Sequence, residues 1–203
     1  MSFKATLLAG AATALMAWAG FAAAEVTLAE GEALAASQTF TYRVLDDFPS
    51  IDPGIVEDVS GAEIVRDLFE GLYNQDADGN LVPGVALSHT VSADGLTYTF
   101  TLRPEAKWSN GDPVVAGDFV YAWQRVADPA TASPYSWFIS LMGIVNADAV
   151  LEGTMTPDQL GVSATDDHTL VVTLVAPKPY FPQMTVQATT FPVPDLASPI
   201  GGP

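Results

Sequence analysis

Asp76-Ala77-Asp78-Gly79-Asn80 sets oxygen-bearing side chains at alternate positions, as the opening of a calcium loop does. Such a loop needs its glycine sixth and a bidentate glutamate twelfth. Here Gly79 is fourth and Leu87 is twelfth, so a plain turn is expected. Asp166-Asp167-His168 brings acid and base groups together, but consecutive residues between two strand patterns predict a solvated hairpin turn. His89 is the other histidine, and two histidines so far apart make no metal-ligand spacing. Ser88 beside His89 is not a triad, and the chain has neither a G-x-S-x-G elbow nor a glycine-rich phosphate loop. The absence of cysteine removes disulfides, thiolate chemistry and cysteine metal clusters. The expectation is a binding protein with no catalytic residues, no metal and no cofactor.

The aromatic residues are the remaining candidates. Tyr121 and Trp123 fall in a helical pattern and read as core, while Trp108 precedes a turn. Tyr135 and Trp137 follow Ser133-Pro134 in what reads as a loop. There they either pack or line a ligand surface, since aromatics combine a large apolar area with a polar edge.

The elements that must position these residues follow from periodicity. Phe40, Tyr42 and Val44 alternate, which predicts a strand over Thr39–Leu45; the Pro49–Gly54 stretch then turns the chain. Ser60-Gly61-Ala62-Glu63 is a capping box, followed by an apolar helical face of Ile64, Val65, Leu68, Phe69 and Leu72. Leu96, Tyr98, Phe100 and Leu102 alternate with threonines, a strand entered through Ala93-Asp94-Gly95. Phe119, Val120, Trp123 and Val126 predict a helix with Asp118 in its first turn, stopped by Asp128-Pro129. A short helix over 146–152 closes at Gly153. Leu170, Val172 and Leu174 form another strand, with Val162–Ala164 able to pair as a hairpin. Strands and helices are mixed without regular βαβ alternation, so a mixed α+β or complex α/β fold is expected.

The N-terminus reads as an export signal. Lys4 is followed by an uncharged apolar run, Leu7–Phe21, and then by Ala22-Ala23-Ala24. That is the pattern of a signal peptide cleaved before Glu25, and the run is short for a membrane span. Residues 25–38 read as a loose arm. The mature chain of 179 residues holds six basic against 24 acidic groups, a net charge of −18. Nucleic acid and anionic membrane surfaces would repel it, so neither is expected as a partner. Without a cysteine at the cleavage site no lipid anchor is expected, which favours a free periplasmic protein.

Ser92–Val114 followed by Ala116-Gly117-Asp118-Phe119-Val120-Tyr121-Ala122-Trp123 closely resembles the signature of family 5 extracellular solute-binding proteins. Those proteins serve peptide and nickel ABC transporters. Ser50-Ile51-Asp52-Pro53, Arg66–Leu72, Gln124–Pro129, Thr131–Tyr135, Asp166–Leu170 and Pro192-Val193-Pro194 resemble further motifs in the same order, so the likeness spans about Thr39 to Pro194. It implies an α/β, type II periplasmic-binding-protein-like lobe, incomplete, with a small mixed second domain. The implied division is 39–56 in domain I, 57–164 in the small domain II, and 165–203 returning to domain I. It also implies a monomer that captures short peptides and delivers them to permease subunits at the inner membrane.

Three positions match ligand-lining positions of the oligopeptide-binding members: Glu57, Val59 and Tyr135. An extended peptide can pair with backbone near Glu57 and Val59 while Tyr135 packs against it. Members of the family are much longer. The chain is therefore expected to be an N-terminal part, binding peptide weakly or not at all alone. The alternatives are an exported acidic interaction module that no longer transports, or a truncated pseudogene product; an exported hydrolase is more remote.

Overall fold

The computed structural model describes residues 41–194 and, before them, residues 33, 36, 37 and 39. The signal peptide, Phe40 and the tail from Asp195 lie outside the described residues. The chain divides at Arg43 into two units. In the first, the described residues form neither helix nor strand. The predicted strand over Thr39–Leu45 is thus absent from its described part. Alternation states only that side chains can share a face; a strand also needs a partner ladder.

The second unit is built on two antiparallel sheets. β1 (Tyr73–Gln75) and β2 (Leu81–Pro83) form a hairpin. β3 (Ala86–Val91), β4 (Thr97–Leu102), β5 (Val162–Asp166) and β6 (Thr169–Thr173) form a four-stranded sheet in the order β3-β4-β6-β5. The register pairs Phe100 with His89 on one side and with Leu170 on the other. Tyr98, Phe100 and Leu102 of β4 and Leu170 and Val172 of β6 all point into the core, as their alternation requires. The interposed threonines face away and satisfy the strand preference for β-branched side chains. The boundary expected at 164/165 falls inside β5, and β6 continues the same sheet to Thr173.

α1 (Val59–Leu68), α2 (Ala116–Ala127), α3 (Ser136–Met142), α4 (Ala147–Leu151) and α5 (Phe181–Met184) complete the described elements, with short 3-10 turns between them. α2 packs across β5 and β6, burying Phe119, Trp123 and Val126 against Phe100, Leu170 and Phe181. Its start is held by Asp118, whose carboxylate accepts the Val115 N–H at 2.9 Å and the Trp108 indole N–H at 3.0 Å. The acid in the first turn, expected to suit the helix dipole, thus also closes the helix end. Asn146 caps α4 in a left-handed conformation, and Gly153 follows at φ +70°.

A smaller cluster of Val56, Val65, Ala188 and Phe191, with Ala62 and Phe69 against it, joins α1 to the 3-10 turn Ala188–Thr190. That turn is tied to the main core because the buried Trp123 indole donates to the Thr190 carbonyl at 2.8 Å. Two local expectations change here. The N-cap of α1 is Asp58, not Ser60: Asp58 Oδ1 accepts the Gly61 N–H at 2.7 Å, and Ser60 sits buried in the first turn. The predicted apolar face is also interrupted. α1 stops at Leu68, which is exposed, and Leu72 reaches the main core only after the chain has left the helix.

Candidate functional site

The segment that carries Glu57 and Val59 is shaped by Asp52. Its carboxylate accepts the Gly54 N–H at 2.9 Å, and its carbonyl accepts the amides of Ile55 and Val56 at 3.0 and 2.9 Å. Arg125 of α2 then grips the same carboxylate with both terminal nitrogens, at 2.9 and 2.5 Å. This two-point geometry is among the strongest side-chain pairings. Burial works against the charge on Asp52, but the Arg125 guanidinium and the Gly54 amide outweigh it and hold the carboxyl below its usual range. In return the bond to Asp52 pushes Arg125 up. The entry segment is therefore pinned to α2 by charge and to α1 by close packing. The packing needs Gly61: a Cβ there would sit 2.6 Å from Val56 Cγ2 and 2.9 Å from the Ser50 carbonyl.

From that anchor the chain runs through buried Val56 and exposed Glu57 to the Asp58 cap. Val59, at the first position of α1, is 70% exposed although apolar. Tyr135 arrives from the other side. Buried Ser133 accepts the Tyr135 N–H at 3.3 Å, and the Tyr135 carbonyl accepts from Phe138 at 2.8 Å, which starts α3. Trp137, expected in a loop, lies in the first turn of that helix. Its ring is tilted against Tyr135 at 5.7 Å between centroids.

The three candidate residues meet. Glu57, Val59 and Tyr135 line one open concavity of about 200 Å³, together with Val56, Asp58, Ala62, Arg66, Gln187, Ala188 and Thr189. Residues 187–189 had no functional signal in the sequence. They reach the site because the Trp123 bond to Thr190 holds their turn beside α1. Two larger hollows, of about 480 and 550 Å³, lie around Phe69 near the ion pair of Glu70 with Arg103. None of the three candidates lines either, so size does not select the site.

The other polar motifs are turns. Asp76 Oδ1 accepts the amides of Asp78 and Asn80 at 2.9 and 2.8 Å, and Oδ2 accepts the Asn80 side-chain amide at 3.0 Å. The Asn80 bonds hold this exposed carboxyl below its usual range. Asp166 Oδ1 accepts the His168 amide at 2.8 Å inside the β5–β6 turn. His89 Nδ1 shares a 2.7 Å hydrogen bond with the Tyr73 hydroxyl, a contact that ties β3 to β1. Among the described residues, no three His, Asp or Glu side chains gather as a metal site.

The family model for the middle region of bacterial extracellular solute-binding proteins, family 5, matches residues 80–200. The chain is 48% identical over 171 residues to the periplasmic murein peptide-binding protein MppA of Escherichia coli, covering 84% of this chain and 31% of that protein. It is 45% identical over 194 residues to the periplasmic oligopeptide-binding protein OppA of the same organism, covering 96% and 35%. The chain thus spans about a third of the length of these relatives. Among solved structures, unliganded open MppA superposes with a TM-score of 0.73 at 48% identity, covering 77% of this chain and 30% of that one. Haemophilus influenzae OppA in complex with RPPGFSPFR gives 0.70 at 45%, covering 71% and 28%. The fold is accordingly a mixed α/β, type II periplasmic-binding-protein one, and proteins of this family bind solutes and are not enzymes. The chain belongs to the bacterial extracellular solute-binding proteins of family 5.

Proposed function

We propose that this chain forms one wall of a peptide site in the substrate-binding subunit of an ABC importer. The site is the concavity of Glu57, Val59 and Tyr135. The reading is carried by the convergence of Tyr135 with Glu57 and Val59, more than seventy positions earlier in the chain, on a single surface. The chemistry fits a peptide backbone. The first-turn amides of a helix have no acceptor inside it, and Asp58 takes only the third of α1, leaving that of exposed Val59 for a ligand carbonyl. Tyr135 adds a half-buried aromatic face and a hydroxyl. Pairing through main-chain groups makes such binding tolerant of peptide sequence.

In this reading the chain is exported through its N-terminal signal, works in the periplasm and hands peptide to permease subunits at the inner membrane. N-terminal sequencing of exported protein should then begin at Glu25. The lobe division expected from the family is part of the proposal, with the second boundary favoured after Thr173, where the sheet ends. The binding test is a titration of ¹⁵N-labelled chain with trialanine, since chemical shifts report even weak complexes. Amides of residues 56–62 and 135 should move together. Shifts confined to other surfaces, or none at millimolar peptide, would remove the site.

A further inference from the structure

Trp137 is a tryptophan left 54% exposed, on a helix that carries no charged residue. Its ring lies at 34° and 5.7 Å from Tyr135, and the next ring, Phe138, meets it edge-on at 5.8 Å. Phe138 is partly buried against the core. It therefore fixes the Trp137 ring from behind, while Tyr135 joins it to the concavity. The result is an exposed aromatic surface that adjoins the concavity at Tyr135.

Exposed Glu57 lines the concavity beside Tyr135. Asp58 lines it too, but one of its carboxylate oxygens caps α1 through Gly61 and the other is buried; Arg66 enters the lining from further along α1. The chain as a whole carries −17. Two of its cations are committed elsewhere, Arg103 to Glu70 and Arg125 to Asp52, and Lys178 donates to the Leu141 carbonyl. The exposed Glu57 carboxylate beside an exposed aromatic face suits a cation, which the ring faces attract and the carboxylate neutralises.

Resting on the peptide reading above, we propose that Tyr135 and Trp137 take the cationic side chain of a ligand peptide, lysine or arginine, with exposed Glu57 as counter-charge. Trp137 is then a specificity-determining residue. Backbone contacts at Val59 accept any peptide, and the aromatic surface selects for charge.

The test compares Ala-Lys-Ala, Ala-norleucine-Ala and Ala-Glu-Ala on the ¹⁵N-labelled chain, with the Trp137 indole signal assigned by Trp137→Phe. Trp108 and Trp123 serve as internal references, because their indoles are bonded to Asp118 and Thr190. The lysine peptide should shift the Trp137 indole and bind about threefold more tightly than the norleucine peptide, the size of an exposed cation–π contact. The glutamate peptide should bind most weakly. Trp137→Ala should abolish the threefold preference while residues 56–62 still respond. If all three peptides move residues 56–62 equally and the Trp137 indole stays still, this proposal falls and the peptide reading stands. An undiminished lysine preference in Trp137→Ala also overturns it, since the Glu57 carboxylate alone would then select. If no peptide moves residues 56–62 or Tyr135, both readings fall.

Discussion

Gly61→Ala and Gly117→Ala are the same chemical change in two helices, and the structure gives them opposite signs. In a helix interior, alanine is favoured over glycine by about 1 kcal/mol. At Gly117 in α2 the new methyl would meet only Val115 Cγ2, at 3.8 Å, an ordinary contact. The intrinsic gain should survive, less the discount due near a helix start, so Gly117→Ala should stabilise by about 0.5 kcal/mol. At Gly61 the methyl would sit 2.6 Å from Val56 Cγ2 and 2.9 Å from the Ser50 carbonyl, and the second of these is backbone. Relief requires the 50–56 segment to lift from α1, but the Asp52–Arg125 pair holds that segment down. Overpacking of this kind costs about 1–3 kcal/mol, which exceeds the helical gain, so a net loss of about 1 kcal/mol is expected. Urea denaturation followed by tryptophan fluorescence reads both variants, with unchanged m-values taken as the sign of unchanged compactness. A Gly61→Ala protein as stable as the parent would refute the argument that glycine is needed for this close approach.

Asp52 provides a pH test. Its folded carboxyl lies below the ordinary value, so it binds protons less readily folded than unfolded. Its contribution is complete above the unfolded value, about 3.9, and is lost as pH falls through the lower folded one. The stability gap between parent and Asp52→Asn should therefore be flat from neutral pH to about pH 5 and close in stronger acid; a gap that widens in acid would reverse the sign. Trp123→Phe leaves the Thr190 carbonyl without its buried donor and should cost about 2 kcal/mol, seen as a lower urea midpoint. Tyr135→Ala should remove most of the trialanine response at residues 56–62 while changing the midpoint little, because the ring is only half-buried; an unchanged titration would take Tyr135 out of the site.

The most legible parts of the chain were those whose neighbours in sequence are also their neighbours in space. The alternation of Tyr98, Phe100 and Leu102 announced β4, and Asp166–His168 announced the β5–β6 turn, because both patterns are set by local backbone geometry. Asp118 was read as a first-turn acid, and it is one. The misreadings have a common origin. Ser60 and Asp58 both offer a capping oxygen, and the choice between them depended on the packing that buries Ser60. Thr39–Leu45 had the right alternation but no strand beside it in the described residues. Trp137 followed a proline turn and read as loop, whereas Ser133 and Tyr135 begin a helix there.

The sequence by itself determined β4, β6, α2 and α4, the acidity, the lack of thiols and the motifs that mark the family. Those depend on residue type and short-range spacing. Likeness to the family also singled out Glu57, Val59 and Tyr135, without showing that they meet. Only the tertiary structure decided that they share one concavity, that residues 187–189 line it with them, and that Trp137 lies against Tyr135. The reason is distance along the chain. The Asp52–Arg125 pair joins residues 73 positions apart and the Trp123–Thr190 bond joins residues 67 apart. No periodicity carries over such separations; packing and paired charge set them.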